Sequence, residues 1–270
     1  MIKKIVHVAD IHFRNIQRHE EYRAVCSNFI DQMKKIKPDR LVIAGDLVHS
    51  RNIMSPELIG EVSWFLNECS MVSELVIVIP GNHDIVEANK DRMDALTPII
   101  DTLKLRNKIE NIKYYKNSEV IVDNDVAWCV FSLLDNNATP EGLNTNNFPG
   151  KKKIGLFHGV ISGAINDQGL KFCHGSDLER FDSCDIVLCG DIHKRQVLKT
   201  KRGVDIIYPG SLIQQNYGET VSQHGYNVID ISENGFSYKF HDIINPVKYL
   251  HFKINDFTDI EVGSEIFVNA

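Results

Sequence analysis

Five times along this chain a short, β-branched apolar run ends in a cluster of carboxylates, imidazoles or amides. KIVHVA precedes Asp10-Ile11-His12, RLVIA precedes Gly45-Asp46-Leu47-Val48-His49, and LVIVIP precedes Gly81-Asn82-His83-Asp84. KKIGLF precedes His158-Gly159, and DIVLC precedes Gly190-Asp191-Ile192-His193. Runs of this length with polar residues at their ends read as buried strands. Helix signals separate the first three. Tyr22, Val25, Cys26, Phe29, Ile30, Met33 and Ile36 recur at spacings of three and four and stop at Pro38. Ser55-Pro56-Glu57 then supplies an N-cap, a first-turn proline and an N-terminal acid for a helix through Leu58, Val62, Phe65 and Cys69. Strand, helix, strand, helix, strand predicts a mostly parallel sheet covered by helices. The carboxyl ends of neighbouring parallel strands open on one crevice, so clusters remote in sequence meet there.

The second half changes character. EVIV, VAWCVFSLL, KKIGLFHG, DIVLCGDIH, VDIIYPG, YNVIDI and FSYKFHDI are strand-like with little helix between them. The expected fold is therefore α/β, with two packed mixed β-sheets flanked by helices in one domain over residues 1–244. Asn245-Pro246 breaks the pattern and KYLHFKI alternates again, so 245–270 is expected to be a linker or the start of a truncated second domain. At 43% hydrophobic residues the 270-residue chain can bury a large core. A net charge of −6 excludes a general basic field for nucleic acid, so any polyanion must be gripped locally. Six cysteines form no CxxC pair and mostly lie in apolar runs, as reduced core thiols of a cytosolic chain would. No stretch approaches the ~20 apolar residues of a membrane span, and the lead MIKKIVHVAD is too short in apolar residues for a signal peptide.

Carboxylates, imidazoles and one asparagine amide are the ligands of a binuclear centre for manganese, iron or zinc. In D-x-H, two residues separated by one in an extended segment point the same way. A single histidine or a lone GNHD is more often a satisfied polar group or a turn. Five clusters in order, each behind a strand, are a site. A structural zinc site from Cys173, His174, Cys184 and Cys189 has irregular spacing and is the weaker alternative.

The order DxH, GDxx, GNHD, isolated His and GDIH resembles that of the calcineurin-like metallophosphoesterases, whose last motif is GHxH. Within them, His49 in GDLVHSRNIMSP and the later YPGSL at 208–212 look like the nuclease subunit of the SbcCD and meiotic-recombination-eleven type. GDIHK and YPGSLIQQNYGE look like a phage or viral branch of it. The resemblance implies a four-layer fold and two divalent ions, manganese or magnesium. Asp10, His12, Asp46 and His193 would hold the first ion; Asp46 would bridge to a second held by Asn82, His158 and Asp191. Asp191 stands where the family has His, and an anionic oxygen there favours harder ions over zinc.

The same resemblance implies 3′ to 5′ exonuclease and single-strand endonuclease action on DNA, in repair, recombination or replication. The partner would be a coiled-coil ABC-type ATPase like SbcC, the protein a homodimer through its first-half helices, and residues 245–270 the start of a DNA-binding cap. It would work in the cytoplasm, or the host cytoplasm if viral. His83 is the candidate general acid, with Asp84 orienting its imidazole and His49 positioning the scissile phosphate. Arg14, Arg18, Lys194 and Arg195 follow the two D-x-H pairs and are expected to grip the DNA backbone. The rivals are hydrolysis of a small phosphate ester or nucleotide, and an inactive scaffold that keeps the fold without its metals.

Overall fold

A computed structural model describes residues 1–135 and 147–250. Strands β1 (Lys4–Val8), β2 (Arg40–Ala44), β3 (Leu75–Ile79) and β4 (Ile112–Tyr114) run parallel in one sheet, linked by helices α1 (His19–Ile36), α2 (Pro56–Val72) and α3 (Thr97–Asn107). The chain then builds a second sheet from β5 (Glu119–Asp123), β6 (Val126–Phe131), β7 (Lys152–His158), β8 (Ile186–Gly190), β9 (Gln196–Lys199) and β10 (Asp205–Tyr208). It returns to the first through β11 (Gly225–Ser232) and β12 (Gly235–Asp242). The orders are β12-β11-β1-β2-β3-β4 and β5-β6-β7-β8-β10-β9. The first sheet is parallel from β1 to β4 and antiparallel at its β11-β12 edge, and the second is parallel at the centre and antiparallel at both edges, so the expected pair of mixed sheets is present.

Alternation along the strands divides the core. Val6, Val8, Leu41, Ile43, Val76 and Val78 face the helices, while Ile5, Ala9, Val42, Ala44, Ile77 and Ile79 face the second sheet. There they meet Val126, Trp128, Val130, Ile154, Leu156, Ile186 and Leu188. Helices α1, α2 and α3 lie on the first sheet; the outer face of the second carries loops and a 3₁₀ turn, Leu178–Phe181, with Phe181 inserted between Phe131 and Phe157. Helix α1 ends at Ile36 with Lys37 in a left-handed C-cap, one residue before Pro38, and Ser55 Oγ accepts from the Leu58 amide to cap α2, as the sequence predicts. Five of the six cysteines are buried thiols and Cys173 is exposed. Residues 245–250 fold back on the loop after β10: Asn245 Oδ1 accepts from the Gln214 amide and the Tyr249 amide donates to Gln214 Oε1. The rest of the expected linker or second domain, 251–270, lies outside the described residues.

His7 sits fully buried between the sheets, its Nε2 3.1 Å from the Cys189 carbonyl, to which it donates. Burial holds its pKa down at about 3. The unfolded chain therefore binds a proton that the fold rejects between pH 6.5 and 3, so this contribution to stability is complete above pH 6.5 and drains away as pH falls. Between pH 7.5 and 5 the wild type should lose about 2 kcal/mol more than His7→Gln, measured by urea unfolding at the two pH values. Equal losses would mean that His7 accepts its proton in the fold.

Candidate metal centre

The carboxyl ends of β1, β2, β3, β7 and β8 converge at one edge, where the sheets come so close that a Cβ on Gly190 would lie 2.1 Å from the Ala44 carbonyl. Gly45, at φ +89°, has the same constraint: its Cβ would fall 2.2 Å from His158 Nδ1. The ligand-bearing turns are not extended. Asp10, His12, Asp46 and Asp191 all have positive φ, between 53° and 94°, so the D-x-H pairs are left-handed turns rather than strand ends. Such conformations cost about 1–3 kcal/mol each and persist only where neighbours fix them. Here the Asp10 amide donates to the Gly45 carbonyl (3.1 Å), the His12 amide to that of Asp46 (2.9 Å), and the Asp191 amide to both Asp10 oxygens (2.9 and 3.1 Å).

All seven predicted ligand positions gather here. Asp10, His12 and His193 present donor atoms within 4.8 Å of one another, and so do Asp10, Asp46 and His158. Asp46 lies between them, with Oδ2 3.4 Å from His12 Nε2 and Oδ1 3.4 Å from His158 Nε2. Asp191 Oδ1 is 3.8 Å from His158 Nε2. The Nε2 atoms of His12 and His193 face each other at 3.0 Å. The buried atoms His158 Nε2 and Asn82 Oδ1 have no hydrogen-bond partner among the described residues. Since His158 Nδ1 donates to the Ala44 carbonyl (2.8 Å), its Nε2 is the ring atom that faces the cluster and would offer a lone pair to a cation. The donor set fits two divalent cations.

Two buried carboxylates, Asp10 and Asp46, with the half-buried Asp191 beside them demand positive charge. Burial raises Asp10 to about 7 despite His158 and His193, and raises Asp191 as well. Burial also works against charged imidazoles, yet Asp46 lifts His158 well above its ordinary value, and Glu219 with Asp10 lifts His193 to about 9.

Sequence reasoning missed the supports. Glu219 Oε1 accepts from His193 Nδ1 at 2.6 Å, and the Glu219 carboxylate is itself held by the Gln215 amide and the hydroxyl of Ser211. It ends the YPGSLIQQNYGE run, so a carboxylate was in view without a role. Tyr22 of α1 donates to the His12 carbonyl (2.6 Å), and Arg51 Nη1 donates to that of Asn82 (2.6 Å). Glu219→Gln should lower metal affinity roughly 10- to 100-fold, since the carboxylate fixes the tautomer and raises the basicity of the ligand; metal titration calorimetry would measure it. Unchanged affinity would remove His193 from the ligand set.

His83 and His49 stand together over the first group, with ring centroids 5.6 Å apart and 4.7 and 5.7 Å from that of His12. Asp84 does not orient His83. Its buried carboxylate accepts from the amides of Leu47, Val48 and Gly81 (3.3, 3.0 and 2.9 Å), clipping the β2 and β3 loops together, and His83 Nδ1 donates to the His49 carbonyl instead (2.6 Å). Arg14 lines a cleft of about 260 Å³ beside His49 while its Nη2 donates to the Gln215 carbonyl (3.1 Å), and Arg18 is turned inward onto Glu21 and the carbonyls of Gln214 and Gln215. The Arg195 guanidinium stacks 3.9 Å from the Phe240 ring of β12, and Lys194 is half-buried.

The profile of the family described as calcineurin-like phosphoesterase matches residues 3–195, which contain every one of these ligands. The chain belongs to that family. The family is one of phosphoester hydrolases that work with divalent metals, and the Asp and His cluster here is a site suited to them. It is 34% identical over 270 residues to uncharacterized protein R555 of Acanthamoeba polyphaga mimivirus, covering 96% of this chain and 19% of that protein's length. Two proteins named as a subunit of the nuclease SbcCD, from Staphylococcus epidermidis and Staphylococcus saprophyticus, are 25% and 26% identical, over 95% and 88% of this chain and 74% and 68% of theirs. Among solved structures, a dimetal phosphatase from Danio rerio (TM-score 0.53, 11% identity, 90% of this chain and 96% of that one) shares the fold. So does TT1561 of Thermus thermophilus (0.52, 11%, 89% and 99%). No helix among the described residues is long and apolar enough to cross a membrane.

Proposed function

We propose that the protein is a manganese- or magnesium-dependent DNA nuclease, cutting phosphodiester bonds as an exonuclease and single-strand endonuclease. The observation that carries the reading is the pair His49 and His83, side by side over the centre with Arg14 in the adjoining cleft. Likeness to two proteins named as SbcCD nuclease subunits supports it. The proposal includes an SbcC-like ATPase partner and a homodimer, working in the cytoplasm or, if viral, the host cytoplasm.

Asp10, His12, Asp46 and His193 would hold one ion and Asp46, Asn82, His158 and Asp191 the other. When bound, the ions supply a nucleophile at neutral pH and neutralise the charge that builds on the phosphate. The chain does the rest. His83, its Nδ1 proton engaged by the His49 carbonyl, has Nε2 left to carry a proton to the departing oxygen. His49 and Arg14 donate to the phosphate oxygens and hold the diester in line. The Asp84 clip keeps the loops bearing Asp46 and His83 at fixed separation. Phosphate contacts carry no base identity, so cleavage should be salt-sensitive and show little preference for sequence.

The test is digestion of labelled single-strand, hairpin and duplex oligonucleotides with manganese, beside a chromogenic phosphodiester. Cleavage of DNA supports the reading; turnover of the small ester alone replaces it with a phosphatase. Asp191 sets the metal: Asp191→His should move the preference in metal-dependent turnover from manganese toward zinc, and an unchanged ranking would make the departure from His neutral.

A further inference from the structure

We propose that a second cleft, beside Asp191 and His193, is a nucleobase subsite for the nucleotide that retains the scissile phosphate. This deepens the DNA reading and rests on it. The cleft has a volume of about 240 Å³ and opens directly onto those two ligands. Phe172, Asn166 and Gln168 are among its lining residues, with Asn166 Oδ1 also accepting from the Leu170 amide (2.9 Å). Asp167 and Glu219 line it too, so a second phosphate would meet like charge. A flat, neutral, hydrogen-bonding group suits it: an aromatic face to stack on and amides that offer both donors and acceptors.

The lining at Phe172 is built rather than loose. The Phe172 amide donates to the Ala164 carbonyl (2.8 Å) and its carbonyl accepts from the Gly163 amide (2.9 Å). Isolated bridges pair Ile161 with Ser176 and Ile165 with Lys171. Gln196 grips the tip from β9, its Oε1 accepting from the Ile165 amide (2.8 Å) and its Nε2 donating to the Ile165 carbonyl (2.7 Å). A ring held this way stacks on a base with little ordering cost.

The two clefts divide the substrate. The one with Arg14 contains His49, whose ring neighbours His83, the acid for the leaving oxygen, so the leaving nucleoside lies there. The Phe172 cleft contains neither histidine and receives the other nucleoside.

An oligonucleotide with one cleavable phosphodiester, all others being methylphosphonates, tests this with the full chain and manganese. Mass analysis shows which product keeps the phosphate, and an abasic residue is placed on either side of the bond. Phe172→Ala should lower kcat/KM on the intact substrate roughly 5- to 100-fold. The abasic residue on the retained side should lower wild-type turnover by a similar factor and abolish the difference between wild type and variant; on the leaving side it should leave that difference intact. Phe172→Trp should restore turnover, which separates stacking from a folding defect. A Phe172→Ala penalty that persists with the retained base absent, or no penalty at all, overturns the subsite. If the wild type cuts no oligonucleotide, the DNA reading itself has failed and takes the subsite with it.

Discussion

His83→Ala should reduce cleavage of an oligonucleotide by about 10²- to 10⁴-fold, the usual range for a lost general acid, while manganese binding stays at wild-type stoichiometry. The side chain can be removed cleanly because the contact from residue 83 to Asp46 is its backbone amide, which donates to Oδ1 at 2.9 Å, and alanine keeps it. The ring's own bond is from Nδ1 to the His49 carbonyl. The decisive comparison is between leaving groups. An alkoxide departing from a nucleotide needs a proton, whereas a nitrophenolate does not, so bis(p-nitrophenyl) phosphate should be hydrolysed by the variant at close to the wild-type rate. Equal losses on both substrates would mean that His83 positions the phosphate or holds a metal.

Much of this was legible in the sequence because its causes are local. A β-branched run, a polar cluster behind it, and a serine-proline-acid start to a helix each announce themselves within a few residues, and parallel connection brings the clusters to one edge. What was hidden depends on contacts between residues far apart. Asp84 follows His83 directly, which suggests a partner for the imidazole, but amides 36 and 37 residues upstream claim its oxygens. Arg18 follows Asp10-Ile11-His12 as a rim cation would, yet Glu21 one helical turn on and carbonyls near residue 215 draw it inward. Glu219 could not be assigned because its partner, His193, is 26 residues away, on the other side of β9 and β10. The left-handed turns were also invisible, since nothing in Asp or His demands a positive φ. They exist because backbone bonds from one loop to the next over-determine them.

Asp46→Asn should leave one manganese ion bound instead of two and bring DNA cleavage to background. The argument is geometric. Each oxygen of Asp46 serves a different half of the centre: Oδ2 faces His12, and Oδ1 faces His158 and accepts the His83 amide. An asparagine must place its oxygen where that amide donates, because its NH₂ there would oppose an N–H. The NH₂ group then falls on the His12 side, where it offers no lone pair to a cation. The ion expected to persist is therefore the one held by Asn82, His158 and Asp191, and the one lost is that of Asp10, His12 and His193. Metal analysis of the purified variant gives the count. Asp46→Asn combined with His158→Ala should bind none, whereas with His12→Ala it should still bind one. Two ions in the single variant, or the reverse order in the double variants, would show that Asp46 does not bridge.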